Sequence, residues 1–555
     1  MKNTIKRAII ILVTIMATVN TFSQNAELKA IYANLPFKME ELKPIDFPKN
    51  QVKITDFGAV GNGIFDNTDA FAKAIDAVAA KGGGTVVVPM GQWVTGPIVF
   101  KSNINLHVEK GALISFTKDK SKYPIVKANF EGWETRRCMS PLNAHNLKNI
   151  AITGEGVLDG GGDAWRSVDK NKMSEPQWKE LLASGGVLSD DGKTWFPSES
   201  YKKAQPLIID QNVPKVSTEE QWLEIKDFLR PVMLDFVSCE NIILDGVTFQ
   251  NSPAWCLHPF MSTNVQVLNV TVRNPWYAKN GDGIDLESCK NTLIYNSSFD
   301  AGDDGICIKS GKDADGRKRA MPTENLIVYK CVVYHGHGGF VVGSEMSSGV
   351  KNIFVDNCIF LGTDAGLRFK SKRGRGGVVE NIYISNIQMK DIETDAIIFD
   401  LYYGGGHGMA AVENEKNQVR DFQPVTEETP AFRNIYIKNI TCNGAYRAFF
   451  FNGLPEMNVQ NINIDNVAIT STNGATLNES DGINMHNITI NASKAPMLTL
   501  YNVKNVVIDN FSSSSPQNDV MKVDGTNTNS ILIKNCKFKE GNIQSSLPSS
   551  VIKKE

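Results

Sequence analysis

Along most of the chain, a short run of alternating apolar and polar residues follows an asparagine, and the phrase recurs. Clear copies are Asn149-Ile150-Ala151-Ile152, Asn241-Ile242-Ile243-Leu244, Asn264-Val265-Gln266-Val267, Asn325-Leu326-Ile327-Val328, Asn352-Ile353-Phe354-Val355 and Asn381-Ile382-Tyr383-Ile384, with others at Asn434, Asn461, Asn487 and Asn505. Most neighbouring copies lie 18 to 34 residues apart. Alternation predicts strands, and one strand signature per repeat of this length predicts a β-solenoid. Asparagine suits its turns because it tolerates left-handed backbone angles. A leucine-rich-repeat horseshoe lacks its Leu pattern here, and a β-sandwich would show closer spacing and hairpin turns.

Helical periodicity is rare. Ala70, Phe71, Ala74, Ile75 and Val78 share one face of a helix that Asn67 or Thr68 can cap and Gly82 to Gly84 stop. Such a helix would cover the open end of the solenoid, where a strand edge is otherwise unpaired. The runs 85–89, 98–100, 104–108 and 112–116 read as its first strands. Between Asp163 and Asp227 the rhythm breaks for a polar, helix-prone insertion with Trp165, Trp178, Trp195 and Trp222, expected to be anchors that pin it to the coil, with stacking on sugar rings as the other reading. A second irregular stretch, Gly404 to Thr429, reads as a rim loop. The expected layout is a leader over 1–23, an extension over 24–50, one coil over 51–545 with the insertion at 163–227, and a tail over 546–555.

Composition narrows the class. With 58 basic and 60 acidic residues the net charge is −2, which argues against a general binder of nucleic acid or anionic membrane. Selectivity for an acidic ligand must therefore be local. Lys2, Lys6 and Arg7 before the apolar run Ala8 to Val19 read as a cleaved export signal, so the protein is expected to be periplasmic or secreted. No later run reaches the roughly 18 apolar residues of a membrane span. The nine cysteines lack C-x-x-C spacing and are expected to be buried small apolar groups. Cys331 and Cys358, each six places after a strand-initial asparagine, should stack on adjacent turns.

The candidate chemistry is concentrated between Asn280 and Lys370: Asn280-Gly281-Asp282, Asp303-Asp304, Gly336-His337-Gly338 and Arg368-Phe369-Lys370. Asp282, Asp303, His337 and Arg368 are successively 21, 34 and 31 positions apart. Each step is close to one turn of a large solenoid, whose turns stack roughly 4.8 Å apart, so the carboxylates become neighbours. Like charges that close raise one another's pKa, and at least one should hold its proton near neutral pH. An acid beside ionised carboxylates is what glycoside hydrolysis requires, and Arg368 and Lys370 can pair with an anionic substrate. Asp285 is expected to be a turn former, and Arg373 and Arg375 a solvated basic loop.

These four clusters, in this order, resemble the N-T-D, D-D, G-H-G and R-I-K signatures of glycoside hydrolase family 28, the polygalacturonase family. Similarity extends from Ile54 through Gly154 to Gly160 and Asn251 to Trp255 as far as about Tyr403. Gly281 and Phe369 replace the family's Thr and Ile, neither of them a chemical group of its mechanism. The resemblance implies an all-β, right-handed parallel β-helix that cleaves α-1,4-galacturonosidic bonds with inversion. It makes Asp303 the general acid, Asp282 and Asp304 the residues that hold and deprotonate water, His337 a group tuning the acid, and Arg368 and Lys370 the binders of the uronate carboxylate. The family's tyrosine falls on Tyr402 or Tyr403; Asn280 and His258 complete the expected substrate-side set. Inversion agrees with the roughly 6.5 to 9.5 Å carboxylate separation that admits a water, which carboxylates one or two turns apart are expected to meet.

No metal or cofactor is expected, and a monomer acting on acidic plant polysaccharide, galacturonan or rhamnogalacturonan, fits the pattern. Gly343 to Ser347 resembles exo-acting bacterial members, and the insertion can close one end of the cleft. The competing readings are a calcium-dependent pectate lyase and a non-catalytic polysaccharide-binding solenoid.

Overall fold

The computed structural model describes residues 26–210, 212–404, 421–513, 520–537 and 541–555. The expected leader and most of the 404–429 loop lie outside the described residues. The chain forms two units, Met1–Pro44, with a helix over 26–33, and Ile45–Glu555.

Among the described residues of the larger unit 36 strands join one sheet, wound as a right-handed parallel β-helix. Each strand pairs in parallel with the strand one turn away: Lys148–Gly154 lies between Ile104–Val108 and Glu240–Asp245, and Thr263–Leu268 follows. The recurrent asparagine holds successive turns at the same corner. Asn149, Asn241, Asn264, Asn291, Asn325, Asn352 and Asn381 have φ between 56° and 60°. Each donates its side-chain amide to the asparagine one turn before, at 2.8 to 3.4 Å. A short polar side chain that tolerates left-handed φ and bonds along the stack explains why the position recurs.

Inside the coil, the alternate positions stack as Ile150, Ile242, Val265 and as Ile152, Leu244, Val267, all buried. Helix Thr68–Ala79 turns Ala70, Phe71, Ala74, Ile75 and Val78 into this core. Asn67 is its first cap position but makes no capping bond. Its side chain instead accepts from Val60 N at 2.7 Å and donates to the carbonyls of Phe65 and Val94. At the far end Ile552–Lys554 pairs with Asn529–Lys534, so the coil continues through the stretch expected to be a tail.

The coil passes the insertion without losing register: Val157–Asp159 pairs directly with Thr248–Gln250. The insertion has helices Glu175–Ala183, Glu199–Ala204 and Glu219–Glu224, and Trp165, Trp178, Trp195 and Trp222 are all buried. They are anchors, not platforms for sugar. A second excursion, unforeseen from the sequence, is the antiparallel hairpin of Ile125–Phe130 and Trp133–Cys138. All nine cysteines are free thiols. Cys331 and Cys358 occupy adjacent turns, as the pairing of Val332 with Ile359 requires.

Candidate active site

The four clusters meet at one corner of four consecutive turns. Strand Ser298–Ala301 ends, Gly302 and Asp303 turn the corner, and Asp304 begins strand Asp304–Lys309. One turn earlier Asp282 precedes Ile284–Glu287; Gly283 N donates to the Asp304 carbonyl at 2.9 Å and holds the two turns in register. One turn later Gly338 pairs with Asp304, and His337 N donates to the Asp303 carbonyl at 2.8 Å. Leu367–Lys370 follows, with Arg368 opposite Val341. Gly281 stands where the family has Thr because a Cβ there would lie 2.7 Å from the Ala278 Cβ. Phe369 faces the interior and stacks on Phe399 at 4.4 Å, so Arg368 and Lys370 point outward.

One oxygen from each of Asp282, Asp303 and Asp304 lies within 4.8 Å of one on each of the others. Stacked turns fix that distance, and it is shorter than the roughly 6.5 to 9.5 Å that ordinarily signals inversion. Carboxylate separation therefore does not carry the stereochemical argument that the sequence suggested.

Asp304 is bonded by Lys370 Nζ at 2.7 Å and by an Arg368 guanidinium nitrogen at 3.4 Å; Arg368 also donates to the His337 carbonyl at 3.0 Å. Burial would raise the Asp304 carboxyl, but Lys370, Arg368 and Lys309 together keep it below the usual range. Asp303 lies 3.0 Å from His337 Nδ1. Burial opposes its charge too, yet the histidine outweighs burial and holds it ionised, while the imidazole is raised by the same contact. Among the described residues no ion pair is made to Asp282, though the more distant charge of Lys309 favours its ionised form. Burial, then the charges of Asp285 and Asp303, push it well above the usual range. The proton expected near neutral pH thus resides on Asp282.

Behind the triad lies a second charge cluster. Asp285 is not at a turn but in strand Ile284–Glu287, fully buried, 3.3 Å from Lys309 Nζ. Burial carries its carboxyl up to about 7 against the pull of Lys309. Lys309 also meets Glu345 at 3.2 Å and lies 4.3 Å from the Trp255 ring centroid. Arg375 is buried as well, against Asp313 and Glu345, which corrects the solvated-loop reading; Arg373 pairs with Glu456 at 2.6 Å. Lys370 and Lys309 already supply positive charge to the carboxylates that a divalent cation would otherwise need to bring together.

A cavity of about 200 Å³ opens over this corner. Asp282, Asp303, Asp304, Asn280, Lys370 and Tyr403 line it, as do Glu131, Asn212, Trp255, Lys309, Ser344 and Glu345. His337 and Arg368 stand beside it, bonded to its carboxylates. Tyr403 is the tyrosine of the site, its ring centroid 5.0 Å from Lys370 Nζ, whereas Tyr402 packs under the Arg373 guanidinium at 5.6 Å. Glu131 and Asn212 belong to the two excursions, so no repeat spacing could have flagged them. Lys309 did leave a signal, as a lysine ending the apolar run Ile306-Cys307-Ile308.

His258 does not reach the cavity. It is fully buried, with Nε2 3.2 Å from Glu287 and Nδ1 3.6 Å from Asp235, and Arg319 closes the chain on Glu287 at 2.8 Å. A strand position that would face outward is covered here, so the histidine is a structural cation. Burial alone would lower its pKa, but the two carboxylates hold it at about 9. A pKa raised on folding gives stability that is complete below the unfolded value of 6.5 and disappears as pH rises through about 9. The thermal midpoint should therefore fall across that window; a flat profile there would count against the charged form.

The model of Glycosyl hydrolases family 28 matches residues 173–476, and one described as rhamnogalacturonase A/epimerase, pectate lyase-like, matches 51–115. The chain is 26% identical to a probable polygalacturonase of Vitis vinifera over 77% of its own length and 76% of the relative's. It is 27% identical to an exo-poly-alpha-D-galacturonosidase of Dickeya chrysanthemi, with 82% and 74% covered. Among solved structures, a hyperthermoactive exopolygalacturonase from Thermotoga maritima aligns with a TM-score of 0.63 at 32% identity, covering 84% of this chain and 93% of that one.

Proposed function

The chain belongs to glycosyl hydrolases family 28 and is a pectin-degrading glycoside hydrolase, and on that premise we propose that it removes galacturonate units one at a time from the non-reducing end of galacturonan. The observation that carries this reading is the cavity. At about 200 Å³ it is smaller than the roughly 300 to 1,000 Å³ typical of drug-sized ligand sites, so it suits one sugar ring and not a chain passing through. Glu131 of the hairpin and Asn212 of the insertion stand in its wall, where an endo-acting cleft would need to stay open.

The direction of the chain follows from exposure. Asp282 and Asp304 are about 2% and 1% exposed, whereas the side chain of Asp303 is 21% and that of His337 44% exposed. Asp282 and Asp304 hold the attacking water deep in the pocket, and Asp303 reaches the leaving oxygen nearer the mouth. The anomeric carbon therefore belongs to the enclosed ring and the leaving group to the chain outside. As the bond to the leaving oxygen breaks, Asp303 delivers to it the proton of the Asp303–His337 pair. Water adds to the anomeric carbon and gives its proton to ionised Asp304. Arg368 and Lys370, at the same corner, offer cations to a uronate carboxylate while they neutralise Asp304.

Polygalacturonate digested with and without chelator provides the test. Monogalacturonate should be the product from the outset and be insensitive to chelator, and proton NMR should detect its β-anomer first. Early longer oligomers would replace the exo reading with an endo one, and α-anomer first would replace inversion with retention.

A further inference from the structure

Glu131 lines the cavity but has no part in the reaction. It sits at the tip of the hairpin between Phe130 and Trp133, with φ 51°. That tip is pressed against the coil: a Cβ on Gly132 would lie 2.5 Å from the Lys312 Cβ and 3.2 Å from the Glu345 Cγ. Trp133 Nε1 donates to Asp210 at 3.1 Å, and Asp210 pairs with Lys312 at 2.5 Å. The hairpin is thereby tied to both insertion and coil.

The Glu131 carboxylate is about 2% exposed yet faces the cavity. Its hydrogen bonds come from neutral donors: Asn212 N at 3.0 Å, Asn212 Nδ2 at 2.5 Å and Asn280 Nδ2 at 3.3 Å. No ion pair to it occurs among the described residues. The guanidinium of Arg137 instead lies 3.9 Å from the Phe130 ring centroid and donates to the Asn212 carbonyl, and that of Arg230 donates to the Asn280 side chain. Burial pushes the Glu131 carboxyl above its usual range, opposed by the Asn212 bonds and by the nearby charge of Arg137; a buried carboxyl is costly, and a wall alone could have been built from neutral residues. A carboxylate offers about four acceptor positions; three are filled, which leaves one for a donor in the cavity.

The donors a galacturonate ring can bring are its hydroxyls. The enclosed ring is the one that carries the attacked carbon, so its far side bears the 4-hydroxyl that is free only at a non-reducing terminus. We propose that Glu131 accepts a hydrogen bond from this 4-hydroxyl and thereby makes the pocket a reader of saturated chain ends. The assignment rests on the exo reading above. It also gives the hairpin a role: a chain interior, with position 4 in a glycosidic bond, has no proton to offer.

The test compares saturated trigalacturonate with its 4,5-unsaturated counterpart, which lacks that hydroxyl. A hydrogen bond to a charged acceptor predicts that native protein favours the saturated trimer by roughly 10- to 100-fold in kcat/KM. In Glu131→Gln, of the same size but with an amide group set against donors, the preference should collapse towards one, mainly through KM, in protein that circular dichroism shows to be folded. Native protein that does not discriminate, or a folded variant that keeps the full preference, overturns the assignment. Failure of native protein to release monogalacturonate from the saturated trimer overturns the exo reading instead. Because the native ratio is decisive by itself, the proposal stays testable if the variant does not fold.

Discussion

Asp303→Asn should lower kcat on polygalacturonate by about 10²- to 10⁴-fold, the usual contribution of a positioned general acid, while KM and melting temperature change little. Asparagine keeps the shape and the bond to the backbone N of Asp304, which Asp303 Oδ1 accepts at 2.9 Å, but it cannot deliver a proton. The structure gives this prediction an unusual feature. The carboxyl is ionised because His337 holds it so, and the proton of the pair rests on the imidazole, 3.0 Å away. Charge developing on the leaving oxygen has to draw that proton across, so the acid is the pair and not the carboxyl alone. Initial rates of reducing-sugar release decide the matter; an Asp303→Asn protein that works at the native rate excludes the acid assignment.

Lys309→Met should cost about 3 to 5 kcal/mol of stability, the range for breaking a buried ion pair from one side. Lys309 serves Asp285 at 3.3 Å and Glu345 at 3.2 Å, and both residues are buried. In the native protein burial opposes the charge of Glu345, but Lys309 together with Arg375, Lys370 and Lys312 holds its carboxyl at about 2. Without the lysine both groups would be driven to bind protons. The deficit should therefore be larger at neutral pH and shrink as pH falls and both carboxyls are protonated. Denaturant titrations of native and variant protein at pH 7 and pH 4 measure this, and equal midpoints at pH 7 would mean that the pair carries no such load.

The asparagine repeat made the coil legible because one side chain meets two needs, a left-handed corner and a bond along the stack. The four motif clusters were legible because consecutive turns convert separations of 21, 34 and 31 positions into contact. Elsewhere local pattern was silent. Alternation places Asp285 and His258 on outward positions of their strands, but it cannot say that Lys309 covers the first or that Asp235 and Glu287 enclose the second. Tyr402 and Tyr403 are adjacent, and only the cations under each ring, Arg373 and Lys370, distinguish them. Glu131 meets Asn280 across 149 positions, a separation that no repeat spacing flags.

Where the insertion leaves the coil and where it returns, the flanking strands Val157–Asp159 and Thr248–Gln250 are already hydrogen-bonded partners. The catalytic corner is built on turns that lie wholly after that seam, from Asp282 onward. On the exo reading, one part of the chain, the catalytic turns, answers for breaking the bond, whereas a second, the hairpin with Glu131 and the insertion with Asn212, answers for choosing which bond is offered. Lineages can lengthen, trim or exchange the second part without disturbing the stacking that holds the first, so preference for chain ends can drift faster than the chemistry it serves.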